Sequence, residues 1–354
     1  MRILYINYID SDVLQSGSSV RPARILQALK ESDHEILMLT GNQMRKDRKM
    51  KVREMAERIM TDRPDLCYIE SPFHPIYRRC DRKLIQQLKE MGVPIGFFLR
   101  DFYSKYRKEL PRRRSSVVNY LKDLYWDYLQ PKTDNTLKYC DIVYLPSEEA
   151  KKLFDYKDMR ALPPAGEDRL PDDKILTHTC IYVGGLRGPY DSSFLMEAFN
   201  KLYENDNSYH LILVCRELEW RTFETPYKNA DWLEIHHTSG ESLVPLYKRA
   251  SVGLMIPRLD LSYNHFAVSV KTFEYMSHGL PIVTINSTAM GKIVRQEQIG
   301  YAVGRNEEEF DTAILKLTHD QQTYQHYVDN VRDALLNRHL WKHRVEQIVR
   351  ELTE

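Results

Sequence analysis

Cysteine is scarce in this chain: Cys67, Cys80, Cys140, Cys180 and Cys215 are scattered through 354 residues, odd in number and without a CxxC pair. That spacing is not the pattern of a disulfide-stapled scaffold, and it makes reduced thiols in a cytoplasmic protein the expectation. Long apolar runs are missing too. No stretch reaches the roughly 18–20 residues that a membrane span needs. The opening MRILYINYID runs straight into a β-like segment, with no basic–apolar–small pattern of an export signal. A strong charge of one sign is also lacking, since the formal net charge is +1. The nucleic-acid motifs that would accompany a basic protein do not appear, so no nucleic-acid partner is expected.

The balanced charge conceals an asymmetry. Residues 1–155 hold 29 Lys+Arg against 22 Asp+Glu, and the remainder holds 22 against 28. Basic residues gather at Arg45–Arg63, Arg78–Lys83 and Arg107–Arg114. Such a half suits an anionic membrane surface or a phosphorylated acceptor. For Met44–Met60 a solvated helix face is the plainer reading.

What is present is a repeated alternation of short apolar strands with helical stretches, the pattern of parallel sheets covered by helices. The first half offers strands at Ile3–Asn7, Glu35–Leu39, Leu66–Glu70, Ile95–Leu99 and Ile142–Leu145, with helices such as Pro22–Lys30 and Arg82–Met91 between them. Ala161-Leu162-Pro163-Pro164-Ala165-Gly166 cannot continue a helix and reads as a linker. A second series follows: Thr179–Val183, His210–Cys215, Trp232–His236, Val252–Ile256 and Ile282–Thr284, then a helical stretch Gln321–Leu352 whose Trp341, Val345, Ile348 and Leu352 share a face. The expected class is α/β with two Rossmann-like domains facing across a cleft. The divisions are 1–160, a linker at 161–172, 173–335, and a terminal helix at 336–354 packing back on the first domain. Ligands of open parallel sheets bind beyond the carboxyl ends of the strands, so function is sought there.

The most specific segment is Ser269-Val270-Lys271-Thr272-Phe273-Glu274-Tyr275-Met276-Ser277-His278-Gly279-Leu280-Pro281-Ile282-Val283. It is a loop, a short helix, a glycine stop and a proline-led buried strand. A helix starting near Ser269 presents backbone N–H groups at Ser269, Val270 and Lys271 and the positive end of its dipole, which suits a diphosphate. Glu274 can accept hydrogen bonds from the vicinal hydroxyls of a ribose, and Lys271 adds a charge against phosphate. The segment resembles the E-x7-E region of the GT-B glycosyltransferases, family four in particular, in its x-K-x-x-E-Y-M-x-x-G-x-P-V-V form. The resemblance implies that Glu274 binds the donor ribose. The first Glu of the pair, which in that family contacts the donor sugar, is replaced here by Phe266.

Tyr182-Val183-Gly184-Gly185-Leu186-Arg187-Gly188-Pro189-Tyr190-Asp191 follows the first strand of the second series. Glycines let backbone approach a phosphate, and Arg187 can grip it bidentately or serve as an ordinary loop arginine. Leu186 breaks the GxGxxG dinucleotide fingerprint. In the resembling family a turn here carries Arg and Lys for the diphosphate. Those positions hold Gly185 and Tyr190 or Asp191. Arg216, His237 and Arg258 also follow strands and are donor-side candidates, each balanced against a plain loop role. The adjacent His236 and His237 are a poor metal pair, because a strand sends them to opposite faces.

In the first half, Gly17 and Ser18 lie in the segment Gln15–Pro22 after the first strand, which corresponds to the family's glycine-rich first loop. Arg100 and Asp101 follow the fourth strand, where the resembling enzymes place a catalytic-zone His or Asp. Asp101 is the first choice for the acceptor hydroxyl, with a helix cap as its alternative. Glu70 and His74 are the runners-up. Asp10-Ser11-Asp12 matches a three-letter metal pattern of another architecture and is read as helix-entry solvation, so no metal or other cofactor is expected beyond the nucleotide-sugar co-substrate. Ser116–Leu129 is aromatic-rich and follows Arg112-Arg113-Arg114. It is either a helix packed in its own domain or a lipid-interface segment.

The resemblance implies transfer of a sugar from a UDP- or GDP-sugar, with retention, to a glycan or lipid-linked acceptor, as in bacterial surface polysaccharide synthesis. A sugar-nucleotide 2-epimerase and a catalytically silent carbohydrate-binding relative are the alternatives.

Overall fold

The structure is a computed structural model, and it describes residues 1–9, 17–72, 75–100, 106, 117–286 and 288–354. The chain divides into two compact units: Met1–Pro163 with Trp341–Glu354, and Pro164–Leu340.

The first unit runs β1 (Arg2–Ile6), α1 (Gly17–Glu31), β2 (Glu35–Leu39), α2 (Arg48–Thr61), β3 (Leu66–Glu70), α3 (Arg79–Glu90), β4 (Ile95–Phe98), α4 (Val117–Leu137), β5 (Ile142–Leu145) and β6 (Met159–Ala161). The strands are all parallel, in the order β2-β1-β3-β4-β5-β6. Strands β3, β4 and β5 are buried along their whole length, as both faces of a helix-covered parallel sheet require. Val52, Met55 and Ile59 of α2 and Leu84, Ile85 and Leu88 of α3 pack on one side.

The second unit runs β7 (Thr179–Val183), α5 (Ser192–Asn205), β8 (His210–Val214), α6 (Glu217–Arg221), β9 (Leu233–His236), α7 (Val244–Arg249), β10 (Val252–Met255), α8 (Val270–Ser277), β11 (Ile282–Ile285), α9 (Ala289–Gln296), β12 (Gly300–Val303), α10 (Glu307–Leu317) and α11 (Gln321–Arg338). Its parallel sheet has the order β12-β11-β10-β7-β8-β9. Phe194 and Phe199 of α5 and Phe310 and Ile314 of α10 cover one face. Tyr247, Phe273, Met290 and Val331 belong to the cluster on the other.

The terminal helix α12 (Trp341–Thr353) is part of the first unit. Its Trp341, Val345, Ile348 and Leu352 are buried, at the spacing of one helical face. A Cβ on Gly96 of β4 would come within 3.0 Å of the Leu352 side chain and 2.9 Å of the Tyr144 ring, so the bare glycine is what admits the helix. The expectation of one helical stretch over Gln321–Leu352 is corrected here. The helix stops after Arg338 because the His339 carbonyl accepts from Gly166 N–H at 2.8 Å and Leu340 bridges Gly166.

Two other expectations change. The basic stretch around α2 is not simply a solvated face. Arg48 is 1% exposed, donates to Asp81 through Nη2 at 2.7 Å and Nε at 3.0 Å, and gives Nη1 to the carbonyls of Asn7 and Gly41. Its neighbours on the outer face pair along the helix as Arg53–Glu57 and Arg58–Asp62. The aromatic stretch in α4 packs by its second half only: Leu129, Thr133, Thr136 and Leu137 are buried, whereas Val118, Tyr120, Leu121, Leu124, Tyr125 and Tyr128 are exposed.

Arg48→Ala strands the Asp81 carboxylate in the interior and is expected to cost about 3–5 kcal/mol in urea unfolding. Arg53→Ala, at an exposed pair, is expected to cost less than about 0.5 kcal/mol. Equal losses for the two variants would contradict the buried-pair assignment.

Candidate functional site

In the second sheet the strand order reverses between β10 and β7, and the crevice at such a switch point is where open parallel sheets bind ligands. Two segments leave the sheet there: the glycine-rich loop after β7 and the long loop from Pro257 to Val268 that leads into α8. Tyr190 bridges Pro257, and Asn264 donates to the carbonyls of Pro189 and Arg258, which ties the two loops together.

Helix α8 starts as its sequence dictates. Ser269 is extended, and its Oγ accepts from Lys271 N–H at 3.2 Å. Thr272 N–H is taken by the Ser269 carbonyl. Of the three amides expected to face a diphosphate, that of Lys271 is thus taken by the cap, which narrows the expectation at this end to the Ser269 and Val270 N–H groups and the Lys271 side chain. The helix ends in a Schellman arrangement, with Leu280 N–H to Tyr275 O, Gly279 N–H to Met276 O, and Gly279 at φ +68°. Tyr275 fastens α8 to the sheet: its hydroxyl accepts from Val183 N–H at 2.9 Å and donates to Leu254 O at 3.2 Å. The ring occupies the place a side chain on Gly253 would take, since a Cβ there would lie 2.6 Å from it.

With the helix fixed, Glu274 stands partly exposed between two donors. Lys271 Nζ reaches Oε2 at 2.6 Å, and the Tyr247 hydroxyl donates to Oε1 at 2.8 Å. Behind Tyr247, His278 stacks on its ring at 4.4 Å. Burial holds the His278 imidazole down at about 4. Burial likewise lowers Lys174 to about 8, and its Nζ donates to the Tyr247 carbonyl.

A second group lines a cavity of about 580 Å³ beside the loop after β7. Arg187 and Arg258 are brought together there, joined by Arg305. Each holds an internal partner: Arg187 the Thr222 carbonyl, Arg258 the Asp260 carboxylate, and Arg305 the Asp191 carboxylate at 2.6 Å. Gly185 packs under the Tyr190 ring, and its carbonyl accepts from the Tyr182 hydroxyl at 2.6 Å. Arg216 is largely exposed near Glu219, and His237 Nδ1 bonds the Cys215 carbonyl; neither lines the cavity.

In the first unit, Gly17 and Ser18 begin α1. Glu70, read as a catalytic runner-up, lies in the interior of the first unit. It is 1% exposed and accepts from Arg21 Nε at 3.0 Å and the Tyr68 hydroxyl at 2.8 Å, with Arg21 lying over the Phe98 ring. Arg100 follows β4, its backbone N–H on Ser71 Oγ. His74 and Asp101 lie outside the described residues, as do Asp10, Ser11 and Asp12.

Sequence reasoning missed Tyr247, His278 and Arg305. No motif marks Tyr247 or Arg305, whose roles arise from tertiary packing. His278 was visible only as part of the helix stop.

Residues 193–350 match the family model described as glycosyl transferase-like. Among curated proteins no similar sequence is found. The fold is similar to that of an alpha-glucosyltransferase in complex with UDP-glucose and DNA containing an abasic site (TM-score 0.65, 10% identity, all of both chains covered). It is similar to the lipopolysaccharide outer core galactosyltransferase WaaB (0.59, 10% identity, 99% of each chain). It is also similar to a protein from Listeria monocytogenes described as a UDP-N-acetylglucosamine 2-epimerase (0.54, 10% identity, 98% of this chain and 94% of that one). At such identities the structural likeness speaks for the fold. The family match marks residues 193–350 as glycosyl transferase-like, and the two helix-covered parallel sheets have the GT-B fold of these structures.

The buried imidazole makes a pH prediction. Between about pH 6.5 and 4 the unfolded chain takes up a proton at His278 that the folded chain refuses, so stability falls with pH across that window, by up to roughly 3 kcal/mol. Urea unfolding of His278→Gln is expected to show a shallower fall over the same range. Parallel curves for the two proteins would contradict the assignment.

Proposed function

We propose that the protein transfers a sugar, with retention at the anomeric carbon, from a UDP- or GDP-sugar to a glycan or lipid-linked acceptor. The observation that carries this reading is the partly exposed Glu274 carboxylate, set beside Lys271 on a helix at the switch point of the second sheet. Vicinal ribose hydroxyls suit that carboxylate, and Lys271 then swings to the diphosphate. The similar structures carrying UDP or UDP-glucose favour a uridine donor. In the reaction the bond from the anomeric carbon to the diphosphate oxygen breaks, the acceptor oxygen bonds the same carbon from the same face, and the acceptor's hydroxyl proton passes to Asp101 or to the departing diphosphate. Lys271, Arg187 and Arg258 offset the charge on the departing diphosphate, with no metal required. Asp101 and Arg100 are assigned to the acceptor side on the sequence resemblance.

A lipid-linked acceptor sits at a membrane, and two features support peripheral contact. Residues 1–155 carry the basic excess, and the outer face of α4 shows Tyr120, Leu121, Tyr125 and Tyr128 to solvent. Among the described residues no helix is long and apolar enough to cross a membrane. The pairing of basic residues within and around α2 argues for this apolar face, rather than for a nucleic-acid surface. The five cysteines are all free, which fits action from the cytoplasmic side.

Two measurements test these assignments. Glu274→Ala is expected to weaken UDP or GDP binding by at least about tenfold in calorimetry and to abolish nucleotide release from a panel of UDP- and GDP-sugars. Unchanged affinity would remove Glu274 from the donor site. Nucleotide binding without turnover in the wild type would favour the silent relative, and an epimerised donor the 2-epimerase. In vesicle sedimentation, the wild type should bind phosphatidylglycerol-containing vesicles, and Leu121→Asp combined with Tyr125→Asp should release it. Equal recovery of the two proteins would refute the membrane contact.

A further inference from the structure

We infer that Tyr247 is a positioning residue of the donor site: its phenol fixes the Glu274 carboxylate in the orientation that receives a ribose diol. The inference rests on the nucleotide-sugar reading above and adds to it a residue that no motif marks.

The geometry is asymmetric. On one side Glu274 Oε1 accepts from the Tyr247 hydroxyl at 2.8 Å, and on the other Oε2 accepts from Lys271 Nζ at 2.6 Å. The two donors differ in how freely they move. Tyr247 is 1% exposed. Its ring is stacked on His278 at 4.4 Å with 19° between planes and meets the Tyr275 ring edge-on at 6.1 Å, while its carbonyl accepts from Lys174 Nζ at 2.8 Å. Tyr275 is itself bonded to β7 and β10. The phenol is therefore held by two aromatic neighbours and through its backbone. Burial also keeps it protonated, as a donor must be. Lys271, by contrast, is about a third exposed on a flexible stem.

A carboxylate offers about four lone-pair sites. One on Oε1 is committed to Tyr247, which leaves a free site there and both on Oε2 once Lys271 turns away. Two hydroxyls on adjacent ribose carbons need that pair of neighbouring sites. Tyr247 thus acts as the permanent clamp and Lys271 as the exchangeable one. A carboxylate held in advance spares the ligand the ordering of a freely rotating side chain.

The test compares ligands with and without the diol. UDP and 2′,3′-dideoxyuridine 5′-diphosphate are titrated by calorimetry into wild type, Tyr247→Phe, Glu274→Gln and the double variant, with GDP and its dideoxy analogue in parallel. Phenylalanine keeps the ring that stacks on His278, and an unchanged unfolding midpoint confirms the packing. Tyr247→Phe is expected to lose about tenfold in affinity for the nucleotide with its diol and to bind the dideoxy analogue as the wild type does. In the Glu274→Gln background the second substitution should add nothing. Equal losses for both ligands, or none for either, would overturn the positioning role. A wild type that does not distinguish the two ligands would instead show that Glu274 does not read the ribose. That result would sink the donor-site reading and this inference with it, and it is separable from a failure of Tyr247 alone.

Discussion

The second unit is organised by one tyrosine hydroxyl. Tyr275 bonds the backbone of β7 and of β10 at once, across the point where the sheet order reverses, and its ring fills the space over Gly253. A strand glycine loses packing and backbone order relative to other residues, so its place in a fully buried strand calls for a compensating partner. That partner is the Tyr275 ring. By this contact the short helix α8 is set against the sheet with Glu274 on its rim, and the serine cap and glycine stop fix where the helix begins and ends.

The two units use charge differently. In the first, Arg21–Glu70 and Arg48–Asp81 are buried, and each arginine spends its remaining donors on carbonyls or a phenol. Such pairs are costly to break and contribute little net stability over apolar packing. In the second unit, Lys271, Glu274, Arg187, Arg258 and Arg305 remain at least partly open to solvent and pair with neighbours near the surface. A group that must exchange its partner for a substrate cannot be sealed in. This difference separates Glu70, at the end of a strand, from Glu274, on a helix.

Most of the fold was legible because buried parallel strands are continuous apolar runs. Glu35–Leu39, Leu66–Glu70, Ile142–Leu145 and Thr179–Val183 occur residue for residue as read. The strands Met159–Ala161 and Gly300–Val303 were not legible. Both are short sheet edges with mostly half-buried residues, where the apolar pattern is weakest. Within the site, Ser269, Lys271 and Glu274 were readable because local spacing places them, and their cap and stop are local as well. Tyr247 and Arg305 were hidden: each reaches its partner across a long sequence separation, 27 residues for Tyr247 and 114 for Arg305. The burial of Arg48 was hidden for the same reason, since its carboxylate partner lies 33 residues away.

Sequence, fold and site meet in the claim that Glu274 is held ready for a nucleoside diphosphate by one fixed and one movable donor. Diffraction from crystals grown with UDP examines it most directly. The account predicts both ribose hydroxyls within about 3 Å of the Glu274 carboxylate, Tyr247 unmoved, and Lys271 turned to the phosphates. A ribose bound elsewhere, with Lys271 still closed on Glu274, would contradict it.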